Sequence, residues 1–282
     1  MNLRIAIPNK GALSEATQQI LTEAGYRQRG DSKQLTLIDD DNGIEFFYLR
    51  PRDIALYVGE GTLDIGITGR DLLQDSGAHA DEAMQLGFGR SKFRFAGVAG
   101  TYSDLGELAG KRIATSYTGV VQRFLDERGI TATVTHLDGA VESSIQLGVA
   151  DVIADVVETG TTLRQAGLEV FGDVILESEA VVITRAGAGA PEGFDTFRRR
   201  IDGVLVARSY VMMDYDVPNS AMEAAVALTP GMESPTVAPL QREGWNAVRA
   251  MVPRVGAQKL MDELYAIGAR AILLTDIHAC RL

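Results

Sequence analysis

The chain has 282 residues, with 27 Lys and Arg against 38 Asp and Glu, a formal net charge of −11; this acidic balance argues against a nucleic-acid binder. Its 46% hydrophobic and 23% charged residues exclude disorder, collagen and coiled coil as descriptions of the whole chain, and roughly 100–200 residues per domain leaves room for two or three domains. No apolar run reaches the ~20 residues of a membrane helix, the opening Met1–Lys10 is too polar for a secretory leader, and Cys280 as the one cysteine leaves no disulfide framework, so a cytoplasmic protein is expected.

The first half alternates strand and helix. Leu3–Ile7 is a short apolar strand ending at Pro8, and Ser14–Ala24 has helical spacing stopped by Gly25. Glu45–Leu49 reads as a strand, Arg52–Val58 as a helix, and Leu63–Ile67 as a buried strand running into Thr68-Gly69 and a short helix from Arg70. Phe93–Val98 is followed by a second alternation: strand Arg112–Ser116, helix Val120–Arg128, strand Thr131–Thr135, helix Val141–Leu147 and strand Val152–Ala154. Repeated βα units predict parallel sheets with helices on both faces.

An internal echo divides this region. Gly61-Thr-Leu-Asp64-Ile-Gly-Ile matches Gly148-Val-Ala-Asp151-Val-Ile-Ala in its glycine, its turn aspartate and its apolar strand. Two similar α/β lobes follow from it. Ligands of open α/β sheets sit beyond the carboxyl ends of strands, so Thr68-Gly69 and Asp155–Thr162 are expected on opposite walls of one cleft. Gly187–Gly193 is a loop and Phe194–Val206 a helix. The tail then changes pattern: strand Tyr210–Tyr215, helix Ser220–Leu228, strands Thr236–Leu240 and Trp245–Val252, helix Gln258–Ile267 and strand Ala271–Asp276, the βαββαβ order of a ferredoxin-like module.

The segment Asp155-Val-Val-Glu158-Thr159-Gly160-Thr161-Thr162-Leu163 carries the most chemistry. An apolar strand stops, a helix begins near Thr162, and three threonines and a glycine lie between. Glycine admits a close anion, while hydroxyls and first-turn N–H groups donate to it, which is how a phosphate cradle is built. An ordinary helix cap needs one hydroxyl, not three. Glu142 and Asp155 bracket the same region, and two acids beside a phosphate suit sugar hydroxyls or Mg²⁺. Lys10, Arg50, Arg52, Arg70 and Asp71 fall at strand–helix junctions of the first lobe, where cations hold polyphosphate. Tyr117, just after a strand, can stack on a base or pack. Several motifs fail: Gly106–Arg112 is one residue short of a Walker A loop, Gly59–Asp64 breaks the dinucleotide fingerprint, and His79, His136 and His278 lack zinc spacing.

Glu142, Gly148, Ala150, Ile153, Asp155, Thr159-Gly160 and Thr162-Leu163 together resemble the signature of the ATP phosphoribosyltransferases, first enzymes of histidine biosynthesis. Pro8-Asn9-Lys10-Gly11, Arg50-Pro51-Arg52-Asp53-Ile54 and Thr68-Gly69-Arg70-Asp71 resemble the family's first lobe, and Asp214-Tyr215-Asp216, Glu233-Ser234-Pro235-Thr236 and Ala271-Ile272-Leu273 its regulatory domain in the long form. The resemblance implies an α/β fold with two lobes like those of type II periplasmic binding proteins, residues 1–91 with 185–210 and residues 92–184, plus a regulatory ferredoxin-like domain, 211–282. It implies transfer of the phosphoribosyl group of phosphoribosyl pyrophosphate to N1 of the adenine of ATP, with release of pyrophosphate. Mg²⁺ is the implied cofactor, its ligands unassigned; histidine is the implied inhibitor, AMP a further candidate effector, and dimers and hexamers the implied assemblies. Glu142, Asp155, Glu158, Thr159, Gly160, Thr161 and Thr162 would bind phosphoribosyl pyrophosphate, and Lys10, Arg50, Gly69, Asp71 and Tyr117 would bind ATP.

No side-chain nucleophile or base is assigned, because a ring nitrogen already carries its lone pair. Asp216, Thr236 and Ala271 would bind histidine, with Asp216 as cap of the following helix the competing reading. A solute-binding module is the alternative function, and it would bind without turnover.

Overall fold

Asp64 and Asp151, the turn aspartates of the internal echo, occupy equivalent places in the computed structural model, which describes residues 2–157 and 160–281. Asp64 Oδ2 accepts the Arg4 backbone N–H at 2.8 Å, and the Asp64 N–H donates to the Arg4 carbonyl at 3.0 Å. Asp151 makes the same pair of bonds with Arg112, both 2.9 Å. The Arg112 guanidinium, 2.7 Å from Asp151 Oδ1, also pulls that carboxyl down to about 2. Each aspartate fixes the point at which the chain re-enters its sheet.

The chain runs β1 (Leu3–Pro8), α1 (Ala12–Glu23), β2 (Thr36–Asp39), β3 (Ile44–Leu49), α2 (Pro51–Gly59), β4 (Ile65–Gly69), α3 (Arg70–Ser76) and β5 (Ala80–Gln85). It continues through β6 (Ser91–Val98), β7 (Arg112–Thr115), α4 (Thr118–Glu127), β8 (Thr133–His136), α5 (Ser143–Gln146), β9 (Val152–Val157), α6 (Thr161–Gln165), β10 (Leu168–Ser178) and β11 (Ala180–Arg185). Then come α7 (Phe194–Ser209), β12 (Tyr210–Pro218), α8 (Met222–Leu228), β13 (Thr236–Pro239), β14 (Trp245–Pro253), α9 (Ala257–Ala266) and β15 (Arg270–Asp276). Two compact units result, Met1–Gln19 with Arg27–Phe194, and Ile20–Tyr26 with Asp195–Leu282.

The first unit holds two sheets, one per lobe, ordered β2-β3-β1-β4-β11-β5 and β10-β6-β9-β7-β8. The expected parallel pairing is present at β3-β1-β4 and at β9-β7-β8. Both sheets are nevertheless mixed, because β2 and β11 run antiparallel to their neighbours in one and β6 and β10 in the other. The cause is a double crossing: β5 leads out of the first sheet into β6, and β10 leads back into β11. The return falls at Glu179 rather than at residue 185, since Ala180–Ile183 form a fully buried strand between β4 and β5. This double crossing is the arrangement of type II periplasmic-binding-protein-like lobes.

In the second lobe, α4 lays Val120, Val121, Phe124 and Leu125 on Phe93 and Phe95 of β6. Phe95 meets Phe124 edge-on at 5.6 Å, and each such aromatic contributes about 2 kcal/mol through burial. Leu163 of α6 joins Ala96, Ala114, Ile153 and Leu168 in a separate cluster, which seats the short helix.

In the second unit the sheet order β13-β14-β12-β15 and the βαββαβ succession match the expected ferredoxin-like module. Val211, Met213, Tyr215 and Val217 alternate into its core. A 3₁₀ turn, Asn219–Ala221, precedes α8, so that helix starts at Met222 rather than Ser220. The cap positions of the 3₁₀ turn and of α8 are held by Pro218 and Ala221, whose side chains accept no hydrogen bond. Asp216 is therefore not a helix cap.

Candidate functional site

β9 carries Asp155 to the carboxyl end of the second sheet, where the buried pattern of Val152–Ala154 gives way to half-exposed residues. Gly160 then turns the chain at φ 68°, a conformation suited to glycine, and α6 starts at Thr161. A pocket of 360 Å³ opens there, lined by Glu142, Asp155, Val156, Val157, Gly160, Thr161, Thr162 and Leu163. Glu142 enters it from the residue ahead of α5. Glu158 and Thr159 lie outside the described residues. The Asp155 carboxyl is pushed up, chiefly by burial and further by Glu142, although its Oδ1 accepts the Val156 N–H at 2.7 Å. An acid kept in a dry place beside another acid marks a spot where positive charge is stabilised. α6 has five residues and no side-chain cap, so an anion would be met by first-turn N–H groups and threonine hydroxyls rather than by a long helix dipole.

A second set of groups meets at the start of α4, where Tyr117 of the second lobe faces Asp71 and Arg52 of the first. Tyr117, the cap residue of α4, meets Phe93 edge-on at 5.2 Å. Burial, then the nearby Asp71 charge, with Asp155 adding to them, hold the phenol protonated well above its usual range. Asp71 is 8% exposed, and its N–H donates to Ser178 Oγ at 3.0 Å. Arg52 lies 5.2 Å from the Tyr117 ring centre. Asp71 of the first lobe and Asp155 of the second thus both lie within electrostatic reach of Tyr117. Thr68 departs from its expected place on the cleft wall: it is fully buried and donates to the Pro51 carbonyl at 2.8 Å.

Among the other expected residues, Gly69 is the cap residue of α3, where a side chain would run into the Asp71 carboxylate. Lys10 and Arg50 are exposed in the first lobe, Lys10 beyond β1 and Arg50 ahead of α2. Asn9 beside Lys10 has a buried Oδ1 with no partner among the described residues. The sequence singles out Asn9 only within the Pro8–Gly11 motif, without a role of its own, and does not single out Ser178. An asparagine between a strand and a glycine turn reads as turn chemistry, and Ser178 reaches Asp71 from 107 positions away.

A larger cavity, 630 Å³, adjoins the pocket and is lined by Arg70, Arg90, Lys92, Val157, Glu177, Ser178 and Glu179, so both lobes contribute. Among the described residues no group of three or more His, Cys, Asp and Glu is placed to hold a metal ion. No helix among them is long and apolar enough to cross a membrane.

In the second unit, Asp216 faces Ala247 on one side and Arg270 on the other. Ala271, next to Arg270, has φ 50°, at a register shift in the β12–β15 ladder. A non-glycine residue held there is the kind of strained backbone found at ligand sites. Thr236 pairs with Arg249 on β14. It therefore stands two strands from Asp216, at least about 10 Å away.

The family model described as ATP phosphoribosyltransferase matches residues 50–203, and that described as HisG, C-terminal domain, matches residues 207–279. The chain belongs to the ATP phosphoribosyltransferase family. Proteins of that name from Streptomyces avermitilis and Micrococcus luteus are 64% and 62% identical to it, over 99% of this chain and 100% of theirs. A solved structure from the family, the ATP phosphoribosyl transferase (HisG:HisZ) complex from Thermotoga maritima, matches at a TM-score of 0.61 and 28% identity. The match covers 71% of this chain and 96% of that one.

Proposed function

We propose that the family's reaction, phosphoribosyl transfer from phosphoribosyl pyrophosphate to N1 of the adenine of ATP with release of pyrophosphate, takes place in the pocket beside Asp155. The observation that supports this is a single pocket lined by two carboxylates and the Gly160–Thr162 turn, with Tyr117 of the same lobe within electrostatic reach of Asp155 and of Asp71 in the first lobe. Adenine N1 is a lone-pair nucleophile, so the protein needs no serine, cysteine or strong base. As the C1–O bond breaks, positive charge grows on the ribose and negative charge on pyrophosphate. Catalysis is then positioning and charge stabilisation.

The N–H groups and hydroxyls of Thr161 and Thr162 hold the 5-phosphate, with Glu158 and Thr159 completing the loop. Glu142 and Asp155 accept the ribose hydroxyls and face the developing positive charge. Asp71 and Tyr117 border the adenine, Gly69 admits Asp71 close to the backbone, and Lys10 and Arg50 face the triphosphate. Two carboxylates without a third ligand suit a Mg²⁺ ion that takes its remaining ligands from pyrophosphate oxygens and water. Bound there, Mg²⁺ would neutralise charge on the leaving group.

We divide the chain into two catalytic lobes and a regulatory domain from residue 211, where histidine binds at Asp216 and Ala271 with Thr236 toward the edge. AMP as a second inhibitor, a dimer or hexamer as the working assembly and the cytoplasm as its location complete the reading. Mixing the protein with ATP, phosphoribosyl pyrophosphate and Mg²⁺ tests it. Pyrophosphate release that requires both substrates supports transfer, and binding without release supports the solute-receptor alternative.

A further inference from the structure

Asp75 lies near the C-terminal end of α3 in the first lobe, yet its carboxylate serves α4 of the second. Its Oδ1 accepts the N–H of Gly119 at 2.8 Å and that of Val120 at 3.4 Å. These are first-turn amides of α4, whose cap residue Tyr117 offers them no side-chain acceptor. Asp75 Oδ2 takes the Arg52 guanidinium at 2.7 Å, and its side chain is 9% exposed. Arg52 in turn lies over the Tyr117 ring. One turn along α4, Arg123 donates to the Gln74 carbonyl. Gly119 makes the approach possible: a Cβ there would run into the Asp75 carbonyl oxygen.

We propose that Asp75 and Gly119 form a clasp that sets the separation of the two catalytic lobes, with Asp75 the positioning residue for Arg52 and Tyr117. One carboxylate does both jobs. It caps α4 across the lobe boundary, and it holds the only guanidinium found over the tyrosine that borders the cleft among the described residues. Removing it leaves two amides of α4 without their acceptor and Arg52 without its counter-ion, so the lobes lose their register at the point nearest Tyr117. Asparagine keeps the acceptor for the amides and loses the charge on Arg52. The consequence for substrate rests on the placement of ATP beside Tyr117.

The test uses the full chain with Cys280→Ser and spin labels at two exposed positions, one per lobe, Glu60→Cys and Glu127→Cys. The interlabel distance is measured without substrate, and KM is measured for each substrate in the unlabelled variants. Asp75→Ala is expected to lengthen or broaden the distance and to raise KM for ATP roughly fivefold to thirtyfold. KM for phosphoribosyl pyrophosphate should stay within about twofold. Asp75→Asn should keep the distance and raise KM for ATP less. Gly119→Ala should lengthen the distance with Asp75 intact.

Unchanged distances in both Asp75→Ala and Gly119→Ala overturn the clasp. A lengthened distance with unchanged KM for ATP overturns the positioning role and the placement of ATP at Tyr117, not the clasp. Equal rises in both KM values mark general damage and likewise overturn the positioning role.

Discussion

Thr162→Val isolates one donor of the proposed phosphate cradle. In the structure the Thr162 hydroxyl is exposed, α6 has no side-chain cap, and Gly160 rather than a threonine occupies the cap position. Among the described residues the Thr162 hydroxyl therefore caps no helix, and valine has nearly the same volume. Thermal stability should change by no more than the ±0.5 kcal/mol usual for surface substitutions. In the complex the same hydroxyl would donate to a dianionic phosphate, and a hydrogen bond to a charged group is worth about 1.5–3 kcal/mol. Affinity for phosphoribosyl pyrophosphate should fall roughly tenfold to a hundredfold, while ATP binding survives. Calorimetric titration with each substrate separately, alongside a melting curve, checks both halves. An unchanged affinity for phosphoribosyl pyrophosphate would refute the cradle, and a large loss of stability would refute the claim that the Thr162 hydroxyl caps no helix in the free protein.

Asp155 gives a pH signature. Its carboxyl is raised above 3.8 in the fold, and the ionised form is the one that accepts ribose hydroxyls. Affinity for phosphoribosyl pyrophosphate should be lost as pH falls through that raised value, whereas this group's own contribution to stability runs the other way, since protonation relieves a buried charge; a pH profile unaltered by Asp155→Asn would count against it. Asp216→Asn should weaken histidine inhibition strongly and leave turnover without histidine near normal; wild-type sensitivity to histidine would remove Asp216 from the regulatory site. Cys280→Ser and His79→Gln, His136→Gln and His278→Gln should each leave turnover within a few-fold, and a loss of several orders of magnitude in any of them would contradict a ring-nitrogen nucleophile.

The pocket was legible because its chemistry interrupts a strong local pattern. Asp155 follows three fully buried strand residues, and Gly160 stands where the chain takes a left-handed turn. The Asp64–Asp151 echo was legible for a similar reason: the same turn had to be made twice, once in each lobe. What stayed hidden depends on distant partners. β5, Ala80–Gln85, is mostly exposed and has no apolar alternation to announce it. β11 is apolar throughout, but nothing in Ala180–Arg185 says that it pairs with β4, more than a hundred residues earlier. Thr68 was expected on the cleft wall, because its buried bond to the Pro51 carbonyl is invisible in one dimension. Asp75 at the end of a short helix reads as a solvated charge, and only the fold brings it to Gly119, 44 positions on.

The most direct test of the account is a structure of the full chain with phosphoribosyl pyrophosphate and ATP bound. The 5-phosphate should lie within hydrogen-bond distance of the Thr161 and Thr162 N–H groups, the ribose hydroxyls against Glu142 and Asp155, and the adenine beside Tyr117. A phosphate seated instead among Arg70, Arg90 and Lys92 in the neighbouring cavity, with the Gly160–Thr162 turn empty, would contradict it.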